Sequence, residues 1–380
     1  MPKPPPPVRH WPLRPLLGVA ALGLTLAFTA SDTYAAARGP LAPGEGRRLA
    51  AAELQGAATT FWAVDPADPR HRSVLGQTEN ADGWGVRAQT SPDGRFIAYT
   101  VFPQGRVEPT TDSELWALAT ATGAQRRLAT GIDLMAAPRW LPDSTLVVAR
   151  RTSIDTVDRT DGPSARSFAL LGFQPNVTDG LPQPLATVPG VDWAGAVGWR
   201  DGVLAYATID GSGTWLRTAG ADDALRLSTG IARDFSLAPD GNRLSFAEAP
   251  GPATPVLRLA TADLTTRQIA PVNAPDGAFN PVWAPSGALT VGSGANQPAL
   301  QGSAAVLAAG GRATSVLRSL PGQFLAPLEW SPDGAVLAAR LASGTADRPA
   351  DDHLAVVDAA AGLARPLSFA GYAAFAGWLP

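Results

Sequence analysis

One short motif recurs along this chain, and its spacing limits the fold more than any other feature. Ser91-Pro92-Asp93-Gly94, Trp140-Leu141-Pro142-Asp143-Ser144, Ala238-Pro239-Asp240-Gly241, Trp283-Ala284-Pro285-Ser286-Gly287 and Trp330-Ser331-Pro332-Asp333-Gly334 each lead into a strand-like apolar run. The chain ends on the opening of the same motif, Trp378-Leu379-Pro380, and a worn copy stands at Trp199-Arg200-Asp201-Gly202. That makes seven copies at a mean interval of 48 residues. Where the full Pro-Asp-Gly stands, proline presets φ, the Asp side chain can accept from the backbone that follows, and glycine tolerates a positive φ.

Around the motif the same grammar repeats. An apolar strand approaches the turn and a second leaves it. A third follows a loop of variable length (Glu114 to Leu118, Pro255 to Ala260, His353 to Val357). A fourth follows a short turn (Arg126 to Ala129, Thr266 to Ala270, Arg365 to Phe369). Four antiparallel strands in 40 to 50 residues, repeated, predict an all-β, seven-bladed β-propeller with six blades as the alternative count. No 3.6-residue period supports stacked helices. The 39 glycines and 36 prolines, spread along the chain, agree with many short strands.

The last motif has no room after it for three more strands. The first segment supplies the missing pieces: Thr59 to Val64 resembles Glu114 to Leu118, and Arg72 to Leu75 resembles Arg126 to Ala129. The two chain ends are therefore expected to share one blade and close the ring. The remaining strand would have to come from Arg47 to Leu54. Its alanine-rich sequence is a poor strand former, so that strand is expected to be weak, missing or helical.

The Trp-x-Pro-Asp-Gly turn, its apolar following strand and the later Leu-Trp strand resemble the WD40-like repeats of TolB-type propellers over residues 58–380. Related repeats occur in propellers that gate prolyl oligopeptidases and in tricorn-type proteases. The resemblance implies the fold, and it is a weak guide to activity because one propeller scaffold hosts many functions. Two departures stand out. TolB proteins place a separate domain before a six-bladed propeller, whereas here seven repeats begin soon after the start. The hydrolase domain of the oligopeptidases has no counterpart here.

The start reads as an export signal over residues 1–37. Lys3, Arg9 and Arg14 precede an apolar stretch from Leu16 to Ala30, and small residues close it at Ala35-Ala36-Ala37. Fifteen helical residues span about 22 Å, short of the roughly 30 Å hydrocarbon core, so cleavage is expected over a membrane anchor. Residues 38–57 then form a linker or the closing segment, and 58–380 the propeller. The mature chain has 27 basic and 32 acidic residues, no further membrane span and no broad positive field. Nucleic acid is not an expected partner. A periplasmic or secreted monomer is expected, anchored to a membrane only if the signal stays.

Residue types constrain the chemistry. There is no cysteine, which removes disulfides and thiolate chemistry. No Gly-x-Ser-x-Gly elbow is present, and beyond His10 only His71 and His353 could act as a base. Neither a catalytic residue, a metal site nor a cofactor is expected. Asp155, Asp158 and Asp161 recur at every third position, unlike a calcium loop of the EF type. Asn176-Val177-Thr178 matches a glycosylation acceptor, which has meaning only in a eukaryotic secretory host. Trp140, Trp199, Trp283, Trp330 and Trp378 share one repeat slot and read as packing between blades, and Trp62, Trp116 and Trp215 recur on third strands with the same reading. Trp84 and Trp193 fall outside the scheme.

Recognition is expected on the loops between second and third strands, the longest and most variable of the repeat. Their charged residues are the candidates: Arg106, Glu108 and Asp112; Arg151, Asp155, Asp158 and Arg159; Asp347, Arg348, Asp352 and His353. Tolerated insertions with no partner are the competing account. The leading expectation is a non-catalytic scaffold for a protein, peptide or glycan of the cell envelope. The alternatives are an enzyme with a metal in its central channel, of lyase or lactonase type, and an accessory propeller for a separately encoded peptidase. For the channel enzyme, the first strands offer mainly apolar residues, with Asp234 and Glu329 as exceptions.

Overall fold

The computed structural model describes residues 47–380 apart from 135–136, 154–165, 177–180, 250–257, 275–277, 293–302, 308–312, 319–322 and 346–347. The chain forms seven four-stranded antiparallel sheets arranged in a ring, a seven-bladed β-propeller. Counting from the closing blade, the innermost strands are Tyr372–Leu379, Arg87–Thr90, Arg139–Trp140, Trp193–Arg200, Ile231–Leu237, Phe279–Trp283 and Gln323–Trp330. In every blade but the first, the four strands follow one another in sequence outward from the axis.

The repeated motif makes the turn between first and second strands. At Ser91 to Arg95, Gly94 N donates to the Ser91 carbonyl at 2.9 Å, and Arg95 N donates to Asp93 Oδ1 at 3.1 Å. Ser331 to Ala335 repeats this, with Ala335 N on Asp333 Oδ1 at 3.1 Å. Thr145 and Asn242 donate to Asp143 and Asp240 in the same way. The residue after the aspartate adopts positive φ in each case, 67° at Gly94 and 72° at Gly334. At Gly94 a side chain is excluded on a second ground, because a Cβ would collide with the Pro380 ring. The first turn thus packs against the last residue of the chain.

No single blade hides its own apolar faces. Each of the seven blade-to-blade interfaces carries its own buried cluster, such as Ala50, Phe61, Ile97 and Tyr99 between blades one and two. Leu49, Ala51, Val336 and Val356 do the same between blades seven and one. The recurring tryptophans sit at these seams. Trp140 Nε1 donates to the Gln89 carbonyl at 2.8 Å, Trp283 Nε1 to the Ser236 carbonyl at 3.0 Å, and Trp330 Nε1 to Thr290 Oγ1 at 2.8 Å. Each bond crosses to the preceding blade, so the indole fills the seam while its polar edge is satisfied. Trp193 joins the cluster between blades four and five. Trp84 packs edge-on against Phe102 with ring centroids 5.5 Å apart.

The closing blade pairs Tyr372–Leu379 with Arg48–Gln55, followed by Ala58–Val64 and Arg72–Glu79. The alanine-rich segment is thus a full strand, neither missing nor helical, and Leu49, Ala50, Ala51 and Ala52 are buried within it. It is paired on both edges, and strand preference yields to tertiary pairing at such a site. Small side chains also suit a strand squeezed between blades two and seven.

Candidate functional site

Glu108 of the first loop group and Arg151 of the second come into one neighbourhood, and the described residues of the third group sit on blade seven. In blade two the loop from residue 102 to 112 contains one helical turn, Pro109–Asp112. Glu108 caps it, accepting from Thr110 N at 3.1 Å, and Asp112 accepts from Glu108 N at 3.1 Å. Arg106 and Val107 stand out in solvent, Val107 at 88% exposure. On blade three, Arg151 lies 3.7 Å from the buried Asp133 carboxylate. Burial lowers the Arg151 pKa, while Asp133 and Glu108 oppose that fall and Arg166 adds to it. Glu108 and Arg151 therefore share one electrostatic neighbourhood at the seam between blades two and three. Asp155, Asp158 and Arg159 lie outside the described residues.

The third group sits on blade seven, and most of its expected loop is strand. Val336–Thr345 and Arg348–Asp358 extend as a long hairpin whose register runs out to Thr345 opposite Arg348. Backbone pairing continues through the polar stretch because the partner strand is equally long. Arg348, Asp352 and His353 belong to that second strand, and Asp347 lies outside the described residues. Asp352 is engaged by Arg340 Nε at 2.7 Å, and Arg340 also bonds the Ala373 carbonyl and covers the Tyr372 ring at 4.4 Å. That set ties blade seven to blade one. His71 lies exposed in its turn, 3.8 Å from Asp68.

A second charged site lies on the axis. The innermost strands of blades one, four, five, six and seven all carry a register shift just before the repeat tryptophan or its equivalent. A bulge turns the strand locally and re-aims its side chains. In blades five and six the bulge includes residues in the left-handed region, Asp234 at φ 56° and Asn280 at φ 45°.

The residue immediately before the tryptophan is Arg139 in blade three and Glu329 in blade seven. These blades are three steps apart around the ring, so the two charges face each other only across the axis. Each feels the other electrostatically, yet they form no ion pair or hydrogen bond. Both are partly exposed.

Burial raises the pKa of both acids on these innermost strands. Burial pushes the Glu329 carboxyl from an ordinary 4.5 up to about 7, with Arg139 opposing the rise. Burial lowers the Arg139 pKa, and Glu329 opposes that. Asp234 is raised by burial as well, with Arg233 opposing. Its Oδ2 lies 3.4 Å from Arg233 Nε, and neither atom has a hydrogen-bond partner.

The sequence pointed to Asp234 and Glu329 as exceptions, but not to Arg139. The available signal was positional: Arg139 precedes Trp140 as Glu329 precedes Trp330. Among the described residues no three potential His, Cys, Asp or Glu metal ligands come together.

A carboxylate that protonates more readily in the folded state favours folding at low pH. Its contribution is complete below 4.5 and is lost as pH rises through about 7. Glu329→Gln should therefore stabilise the protein at pH 8 by up to about 3 kcal/mol and leave it unchanged at pH 4. Thermal melts of both proteins at the two pH values check this. Equal melting shifts at both would contradict it.

No protein-family model and no curated protein matches this sequence. Solved structures do. The β-propeller domain of the Trilobed protease from Pyrococcus furiosus, which has an open velcro topology, aligns at TM-score 0.52 and 12% identity, over 84% of this chain and 98% of that one. An oligogalacturonate lyase in complex with manganese aligns at TM-score 0.53 and 13% identity, over 88% and 98%. TolB from Acinetobacter baumannii aligns at TM-score 0.47 and 13% identity, over 89% and 68%. The chain spans about half the length of the prolyl endopeptidases and acylaminoacyl peptidases it also matches. At these identities the likeness to the structures that align above TM-score 0.5 shows the fold alone.

Proposed function

We propose that this chain is an exported, non-catalytic propeller that holds a protein, peptide or glycan partner of the cell envelope on the face bearing its second-to-third-strand loops. One observation carries the reading. The loop of blade two uses Glu108 and Asp112 to fix its own backbone, and this leaves Arg106 and Val107 presented on a rigid tip. A preordered loop loses little entropy on binding, and an arginine beside an exposed aliphatic side chain suits a mixed polar and apolar contact. Export rests on the basic, apolar and small-residue pattern of residues 1–37. No helix among the described residues is long and apolar enough to cross a membrane.

The matches to peptidases support a second reading, an accessory propeller that docks a separately encoded peptidase. Capture from envelope extract tests both. The wild-type protein should retain a partner that Arg106→Glu with Val107→Asp loses at least about tenfold, a change of roughly 1.4 kcal/mol or more. Both proteins should melt together, since neither side chain supports the fold. A peptidase as the captured partner selects the second reading, and equal capture by both proteins overturns this face as the site.

A further inference from the structure

Asp-Gly is the dipeptide at which a backbone amide most readily attacks the side chain before it, because glycine has no Cβ to hinder ring closure. The chain holds nine such pairs. Asp161-Gly162, Asp179-Gly180 and Asp276-Gly277 lie outside the described residues. In four of the other six, nearby donors hold the carboxylate. Asp93 Oδ1 accepts from Ser91 Oγ at 2.6 Å and from Arg95 N at 3.1 Å. Asp333 repeats this with Ser331 and Ala335. Asp240 Oδ1 accepts from Asn242 N at 2.9 Å, and Asp210 Oδ1 from Ser212 N at 2.8 Å. At three of these pairs the attacking nitrogen is occupied too: Gly94 N, Gly241 N and Gly334 N each donate to the carbonyl three residues back.

Two pairs are not held in this way. Blade four carries the worn copy of the motif, which lacks proline, and its turn is only two residues long, because Arg200 pairs directly with Val203. Asp201 at φ 51° and Gly202 at φ 79° form it, the left-handed pair of a tight hairpin turn. The Asp201 side chain is 82% exposed, and its contact with Arg200 Nε at 3.3 Å is too open to solvent to fix it. Asp82-Gly83, in the link between blades one and two, is likewise exposed. Among the described residues neither carboxylate accepts a hydrogen bond, and neither Gly83 N nor Gly202 N donates one.

We propose that Asp201-Gly202 and Asp82-Gly83 are sites of spontaneous isoaspartate formation in the folded protein, and that the four held pairs are protected from it. The glycine nitrogen attacks Cγ of the protonated aspartic acid. A C–N bond forms, the C–OH bond breaks, the nitrogen gives up its proton and one water leaves, which yields a cyclic succinimide. Water then adds to either ring carbonyl and opens the ring to aspartate or to isoaspartate, so no other reactant is needed. At Asp201 the product puts an extra backbone carbon into a two-residue turn. Trp199 and Leu204 pair with each other directly behind that turn and pack in the seam between blades three and four, so their register is the first to be disturbed. The modified turn lies on the inner-turn face of the ring, opposite the second-to-third-strand loops.

The test is peptide mapping of the native protein aged at pH 6 in heavy-oxygen water, since each succinimide that reopens takes up one labelled oxygen. Cleavage at arginine puts Asp201 and Asp210 on one peptide, residues 201–217, so a reactive and a protected pair are compared in the same molecule. Electron-transfer fragmentation locates the label and distinguishes isoaspartate from aspartate. Asp201 and Asp82 should gain label at least about tenfold faster than Asp93, Asp210, Asp240 and Asp333, because a held carboxylate must first break a charge-assisted hydrogen bond. In protein unfolded by denaturant all six should react at similar rates, which assigns the difference to the fold rather than to neighbouring residues. Absence of label at Asp201 or at Asp82 in the folded protein, labelling of the held pairs at the same rate, or a difference that persists in the unfolded chain overturns the proposal.

Discussion

A chain that begins at residue 80 is expected to lose cooperative unfolding near the wild-type temperature, whereas one that begins at residue 47 keeps it. The first lacks three of the four strands of the closing blade and leaves Tyr372–Leu379 without a partner. The loss is not confined to one sheet. Phe61 and Ala63 fill the seam with blade two, and Leu49 and Ala51 fill the seam with blade seven. Full burial of Phe61 and Leu49 alone is worth about 2–3 kcal/mol each. With the strand pairing added, the expected loss is on the order of 10 kcal/mol, as large as the whole stability of an ordinary domain. Calorimetry on the two truncated proteins checks this. A melting temperature at residue 80 equal to that at residue 47 would show that the ring does not depend on its closure.

Glu53→Ala should cost about 3–5 kcal/mol from a single residue. Glu53 is 2% exposed, and its carboxylate accepts from Ala370 N at 2.6 Å, Gly371 N at 2.9 Å, Trp62 Nε1 at 2.8 Å and Gln55 Nε2 at 3.0 Å. The first two donors belong to the turn that brings the chain back into its last strand. One side chain thus fastens the head of the chain to its tail, and alanine would leave several enclosed donors unpaired. Burial raises the Glu53 pKa, but the bonds from Gly371, Gln55, Ala370 and Trp62 outweigh it and hold the group below the ordinary 4.5.

A depressed carboxylate stabilises the fold above the pKa of the unfolded chain, and that stability is lost as pH falls through the lower folded value. The gap in melting temperature between wild type and Glu53→Ala should therefore be widest at neutral pH and shrink in acid. A gap that is constant from pH 7 to pH 3 would show that the residue acts only through packing.

The blade-to-blade tryptophans, the repeated turns and the shared closing blade were legible because their signals are local or periodic. Ser331, Asp333 and Gly334 make their turn with residues no more than five positions away. Other elements were less legible. The hairpin of blade seven hides in a polar stretch that reads as a loop, and it is a strand because its neighbour pairs with it to Thr345. Asp352 looks like a free surface charge in sequence, but it is engaged by Arg340, which holds two blades together. Arg139 could not be recognised as a partner of Glu329 from either residue's own surroundings.

The sequence by itself pointed to seven blades with six as the alternative, and to the place of each inner turn and the meeting of the chain ends, because proline, aspartate and glycine act on the backbone beside them and the interval repeats. Only the tertiary structure decided that an alanine-rich segment becomes a strand, and which charges face each other across the axis. Both depend on ring closure, which juxtaposes residues that neither spacing nor propensity relates.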